Sequence, residues 1–150
     1  MADVEVSETV KAASLRLYEL VSDLPRMGEW SPENTGGKWV GGATEPAVGA
    51  KFRGTNRHGL AIWMTSVTIT GADAGQRFAF DVDVLGVPIS TWEYTFADAA
   101  DGCLVTERWT DRRPRWMRVS SIATGVADRP AHNRRNMQAT LAKLKAAAES

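Results

Sequence analysis

The sequence is short of the residues that most metal and redox chemistry requires. Its one cysteine, Cys103, cannot form an internal disulfide, and cysteine-based zinc or iron–sulfur sites lack their ligands. Only two histidines occur, His58 in an expected hairpin turn and His132 near the start of an expected terminal helix, so a metal centre would have to rely on carboxylates. No metal and no cofactor are expected. No apolar run is long enough to span a bilayer and no basic-then-apolar leader opens the chain, which makes a reducing cytoplasm the expected compartment. Glycine-rich phosphate loops, zinc-finger spacings and RNA-binding signatures are also missing, so nucleic acid is not an expected partner.

What is present fits one ligand-holding compartment. The 150 residues suit a single domain spanning 1–150, and a domain of that size buries roughly 68–70% of its unfolded surface without metals or disulfides. Six Trp against two Tyr and four Phe is a rich supply of the large rings that line apolar pockets. Formal net charge is zero, yet residues 1–100 hold 8 basic and 13 acidic side chains while residues 101–150 hold 10 and 5. Arg108, Arg112, Arg113, Arg115 and Arg118 crowd into one segment. Such a patch either meets an acidic or phosphate-bearing partner or pairs with the acidic half of its own chain. The oligomeric state is read as monomer or homodimer.

Hydrophobic periodicity gives the element order. Val4, Val6 and Val10 share one parity, so residues 3–10 read as a strand. Leu15, Leu17, Tyr18, Leu20 and Val21 carry helical spacing over 12–21, and Pro25 stops that helix; a short second helix is expected over 25–30 before Pro32. Six strands are expected near 36–41, 49–57, 61–70, 77–85, 89–97 and 103–111, separated by glycine-rich turns too short for anything but an antiparallel meander. Phe78, Phe80, Val82 and Val84 alternate with Arg77, Asp81 and Asp83, and Trp92, Tyr94 and Phe96 alternate with Thr91, Glu93 and Thr95. One sheet face is therefore apolar and the other wet. Beyond Pro114, Trp116, Val119, Ile122 and Val126 follow helical spacing until Gly125 and Pro130 interrupt it. Met137, Leu141, Leu144 and Ala148 then form a stripe along a terminal helix of about 130–148, kinked or split near 127–130.

A strand, two short helices, six antiparallel strands and a long terminal helix follow the helix-grip order, an α+β architecture in which a seven-stranded sheet wraps the last helix. The residues Trp30-Ser31-Pro32, Trp39-Val40-Gly41-Gly42, Gly49 to Arg57, Trp92-Glu93-Tyr94 and Leu104-Val105-Thr106-Glu107 carry a resemblance over nearly the whole chain. In order and spacing the chain resembles the START-like, Bet v 1-like (SRPBCC) superfamily, in its bacterial polyketide cyclase/dehydrase and lipid-transport branch. The resemblance implies a deep apolar cavity between sheet and helix. It does not imply one chemistry, since the superfamily includes carriers, receptors, cyclases, chaperone co-factors and oxygenase domains. Without a Cys/His pair or a facial His/His/carboxylate set in the sequence, its oxygenase members are poor models.

Parity nominates the site. Glu107 alternates with Val105 and Trp109, and a carboxylate on that face needs a partner or a raised pKa. Tyr94 and Asn56 are the polar groups whose parity brings them to the same cavity. Phe52, Trp63, Phe80, Val82, Trp92, Tyr94 and Trp109 are the expected wall, with Met137, Leu141 and Leu144 as roof and His132 at the mouth. Core packing explains each of these taken singly; the expectation concerns the group. Trp30 reads as an anchor of the helix-to-strand turn.

Three functions follow. The leading one is binding, and in some settings transport, of a small hydrophobic ligand such as a lipid, polyketide or aromatic compound. The second is a cofactor-free polyketide cyclase or dehydratase with Glu107 and Tyr94 as acid/base groups, although Glu107 also reads as a structural hydrogen-bond node. The third is a partner-binding or chaperone-assisting domain that uses segment 108–118.

Overall fold

A computed structural model describes residues 2–118 and 128–150. The described elements run β1 (Val4–Val10), α1 (Ser14–Ser22), a 3-10 turn (Leu24–Glu29), β2 (Asn34–Val40), β3 (Lys51–His58), β4 (Ala61–Asp73), β5 (Arg77–Val84), β6 (Val87–Ala99), β7 (Gly102–Asp111), α2 (Arg115–Arg118) and α3 (Arg129–Glu149). The seven strands form one antiparallel sheet in the order β1-β7-β6-β5-β4-β3-β2. Strands β2 to β7 form a meander in which residues 41–50 join β2 to β3 and turns of two or three residues join the later strands, and β1 joins the far edge by pairing with β7. This is the helix-grip arrangement, with α3 running across the apolar face of the sheet.

The period-2 patterns become the sheet's inner face. Phe78, Phe80 and Val82 on β5, Tyr94 and Phe96 on β6, and Val105, Glu107 and Trp109 on β7 are all buried. Tyr18 of α1 meets Phe78 and Phe96 edge-on with ring centroids 6.1 Å apart in both pairs, and this seats α1 on the sheet. Leu15, expected on the buried stripe, is 51% exposed, because at 100° per residue it falls outside the arc that Leu17, Tyr18, Leu20 and Val21 bury. Asp23 ends α1, and Pro25 then opens the 3-10 turn.

That turn approaches the sheet too closely for any side chain at one position. A Cβ on Gly28 would lie 2.8 Å from the Asn34 carbonyl oxygen at the start of β2. Trp30 is buried beneath the turn and its backbone N–H donates to the Met27 carbonyl, so it anchors the passage into β2.

Helix α3 starts at Arg129, where Asp128 caps it by accepting from the Ala131 N–H and Pro130 occupies the first turn. Pro130 therefore begins the helix rather than kinking it. The expected spacing of Val119, Ile122, Gly125 and Val126 lies outside the described residues, and Trp116 of α2 is 70% exposed. The buried face of α3 comprises Asn133, Met137, Thr140, Leu141 and Leu144, so two polar side chains share the expected stripe. The C-terminal half of α3 is tied to the β1 edge: Lys145 Nζ donates to the Thr9 carbonyl at 3.1 Å and Lys11 N–H donates to Glu149 at 2.8 Å. The N-terminal half stands over β3 to β7 instead. Among the described residues no helix is long and apolar enough to cross a membrane.

Candidate functional site

A cavity of about 300 Å³ lies between the N-terminal half of α3 and the inner face of β3 to β7. Phe80, Val82, Trp92 and Trp109 form much of its wall, joined by Trp63 of β4 and Met137 of α3. Asn56, Tyr94 and Glu107 add polar groups to the same wall. The sheet register explains the grouping. Phe80, Trp92 and Trp109 are successive partners across β5, β6 and β7, and Phe78, Tyr94 and Glu107 form the next row.

Three expected residues are placed elsewhere. Phe52 is buried near the β2 edge with its ring 5.2 Å from that of Trp39, because β3 lies too far around the sheet at that point for its side chain to reach the cavity. Leu141 is buried in the main core, as is Leu144, since the part of α3 that carries them lies toward β1. His132 stands at the rim of the cavity and not in its wall, with its Nε2 3.1 Å from Glu33 Oε2.

Parity also missed lining residues that it contains. Thr65 and Val67 alternate with Trp63 and were accessible from the same rule. Ile89 and Ser90 both reach the cavity although they are adjacent, because Val82 pairs with Ser90 while Asp83 pairs with Pro88, which leaves Ile89 as an extra residue. Met27, Glu33, Arg113 and Arg129 come from turns and helix starts, where no period applies.

Most polar groups of the wall are satisfied locally. Trp92 Nε1–H donates to Ser90 Oγ at 3.1 Å, and Asn56 Nδ2 donates to Thr65 Oγ1 at 3.3 Å. Glu107 is different. It is 2% exposed, and Tyr94 Oη donates to its Oε2 at 2.7 Å, while Oε1 has no hydrogen-bond partner among the described residues. Burial pushes the Glu107 carboxyl up to about 8, and the Tyr94 hydrogen bond opposes that shift without overcoming it. Tyr94 is itself held well above its ordinary value of 10, first by burial and then by the neighbouring carboxylate. At neutral pH the pair is a phenol donating to a neutral carboxylic acid. Because Oε2 receives the phenol proton, the acid's own proton belongs on Oε1, which gives the cavity wall one unused O–H donor.

At the rim, residues distant in sequence converge. Arg129 Nη1 donates to Glu33 Oε1 at 2.8 Å, and His58 Nδ1 lies 3.8 Å from Glu33 Oε2. The His58 and His132 rings meet edge-on at 4.8 Å, and burial lowers the His132 pKa despite the opposing pull of Glu33. The sequence offered no visible His/His/carboxylate set, but the fold assembles one from the start of β2, the end of β3 and α3. Nothing in the spacing of 33, 58 and 132 announces it.

A seven-stranded sheet gripping a helix over a mostly apolar pocket defines a helix-grip fold of the START-like, SRPBCC class. A family model described as polyketide cyclase / dehydrase and lipid transport matches residues 1–149, and the chain belongs to that family. A search of curated proteins found no match. Among solved structures, the chain is similar to the di-domain ARO/CYC StfQ from the steffimycin biosynthetic pathway, with a TM-score of 0.74 and 16% identity over 97% of this chain and 50% of that one. The chain thus spans about half the length of that di-domain protein. Protein CV1439 from Chromobacterium violaceum aligns with a TM-score of 0.71 and 16% identity over 98% of this chain and 96% of that one. The polyketide_cyc-like protein Cgl2372 from Corynebacterium glutamicum aligns with a TM-score of 0.60 and 25% identity over 99% and 90%.

Proposed function

We propose that the protein binds a small, mostly apolar molecule bearing one carbonyl or hydroxyl oxygen, such as a polyketide or aromatic compound, in the cavity between the sheet and α3. The observation that carries this reading is the buried Glu107 Oε1, unpartnered among the described residues on a mostly apolar wall whose other polar groups are largely satisfied locally. A buried polar atom without a partner costs about 1–3 kcal/mol, so a ligand oxygen that accepts its proton gains from filling the place. The volume of about 300 Å³ is at the small end of ligand pockets, which favours a compact ring system over a two-chain lipid. Phe80, Val82, Trp92, Trp109 and Met137 supply the apolar contacts.

The experiment is native mass spectrometry of the purified chain, followed by titration with small aromatic ketones read through tryptophan quenching. One-site binding that weakens about tenfold or more in Glu107→Leu, and that Val82→Trp abolishes, supports the reading. Saturable binding indifferent to both changes sinks it.

The geometry around Glu107 also favours a cofactor-free dehydratase or cyclase step. For dehydration, Glu107 gives its Oε1 proton to a leaving hydroxyl and, as the carboxylate so formed, takes the adjacent C–H proton. One C–O and one C–H bond break, a C=C bond forms, water leaves and the acid is restored. Tyr94 keeps its hydrogen bond to Oε2 and stabilises the transient carboxylate. Release of water from a β-hydroxy ketone, lost in Glu107→Gln while binding persists, separates this enzyme from a carrier.

The partner-binding reading loses its main support. Arg108 pairs with Glu93 and Glu5, Arg112 with Asp81, and Arg113 with Asp111, so the segment's charge is largely answered within the chain. The proposed partner is the small ligand alone, with the chain as a monomer or homodimer in the cytoplasm.

A further inference from the structure

From the convergence of Glu33, His58 and His132 at the cavity rim, we infer that these three residues bind one divalent metal ion of the zinc class. Their ligand atoms all lie within 4.8 Å of one another. They are the only two histidines of the chain, together with a carboxylate that is only 15% exposed. Four ligands held about 2.0–2.1 Å from a tetrahedral ion stand roughly 3.3 Å apart. Glu33 Oε2 already lies 3.1 Å from His132 Nε2 and 3.8 Å from His58 Nδ1. The rearrangement needed is a small rotation of the imidazoles, on side chains whose backbones are fixed by β3 and α3.

The hydrogen bonding points the same way. His132 Nε2 stands 3.1 Å from Glu33 Oε2 and 3.0 Å from the Asn136 amide nitrogen. One ring nitrogen cannot donate to the carboxylate and accept from the amide at once. A half-turn of the Asn136 amide relieves the conflict by placing a second oxygen beside the same nitrogen, which adds another atom suited to a cation. A metal ion between Nε2 and Oε2 uses both lone pairs directly.

Arg129 does not occupy the place the ion needs. Its guanidinium donates to Oε1, the other oxygen of Glu33, and holds the carboxylate so that Oε2 faces the imidazoles. Its charge weakens the attraction for a cation, and its hydrogen bond orients the ligand as outer-shell partners of metal sites do. With three protein ligands, one position is left for water or for an oxygen of a molecule in the cavity, because Glu33 and Asn136 line that cavity. The ion would tie together the entry to β2, the β3–β4 hairpin and the start of α3. This inference does not depend on the ligand proposed above.

The test is titration of the tag-free full chain with zinc by calorimetry, and with cobalt(II) by visible absorption. One zinc per chain is expected, with the absorption of a four-coordinate cobalt site. His132→Ala and His58→Ala should each weaken binding at least tenfold and remove that absorption. His58 is 37% exposed at a hairpin end, so its replacement leaves the metal-free urea midpoint unchanged and keeps the result readable even if the His132 variant folds poorly. Failure of the wild-type chain to bind one zinc, or zinc and cobalt binding that His58→Ala leaves unchanged, overturns the inference.

Discussion

Tyr94 and Glu107 stand directly opposite each other on β6 and β7, and the phenol donates to the carboxyl at 2.7 Å in a fully buried setting. Burial is the first cause of the raised pKa of each, and the hydrogen bond between them acts against it at Glu107 and with it at Tyr94. The carboxyl stays neutral at pH 7 because removing its proton would leave a charge on an apolar wall.

This makes stability pH-dependent in a defined direction. The folded pKa of about 8 lies above the ordinary 4.5, so the folded state holds a proton that the unfolded chain has lost between those values. The stability from this group is fully present below about pH 4.5 and falls as pH rises to about 8, approaching about 1.4 kcal/mol per unit. Urea unfolding of wild type and Glu107→Gln at pH 5 and pH 8 should show a smaller loss in the glutamine variant. Parallel losses would mean that Glu107 ionises normally.

Tyr94→Phe removes the only hydrogen bond to Oε2 given by the described residues. It should lower stability by about 1–3 kcal/mol at pH 5, where the acid is neutral in both proteins. The step in stability with pH should also move to higher pH, since the hydrogen bond holds the Glu107 pKa down. A midpoint moving toward acid would contradict the assigned donor and acceptor.

Leu141→Ala and Val82→Trp separate core from cavity. Leu141 is 2% exposed and packs in the main core, so its truncation should cost about 2–5 kcal/mol while leaving ligand affinity within about threefold. Val82 lines the cavity, and the larger ring should block ligand while thermal unfolding stays nearer wild type. Equal effects of both changes on affinity would place Leu141 at the ligand after all.

Gly37→Ala tests the edge that supports the rim. Gly37 has φ of +151°, and a Cβ there would lie 2.7 Å from the Phe52 ring and closer still to the Arg53 carbonyl oxygen. Backbone cannot yield as a flexible side chain can, so the variant should unfold at least about 2 kcal/mol more easily. Unchanged denaturant unfolding would show that β2 and β3 pair less closely there.

The sequence by itself determined what depends on neighbours one or two residues away. Alternation along β5, β6 and β7 specified which side chains share a face, and that was enough to place Glu107 with Tyr94, Trp92 and Trp109. Pro25 and Pro130 marked element boundaries because proline limits the backbone wherever it stands. Tertiary structure decided what depends on how far each element extends over its neighbour. Phe52 and Leu141 obey the same periodicities as the cavity residues, yet packing at the β2 edge and against β1 carries them into the core. The extra residue at Ile89 turns two consecutive side chains inward, which a strict period of two forbids. Glu33, His58 and His132 are brought together only when the sheet closes under the start of α3, since a contact between residues 99 positions apart leaves no local trace in the chain.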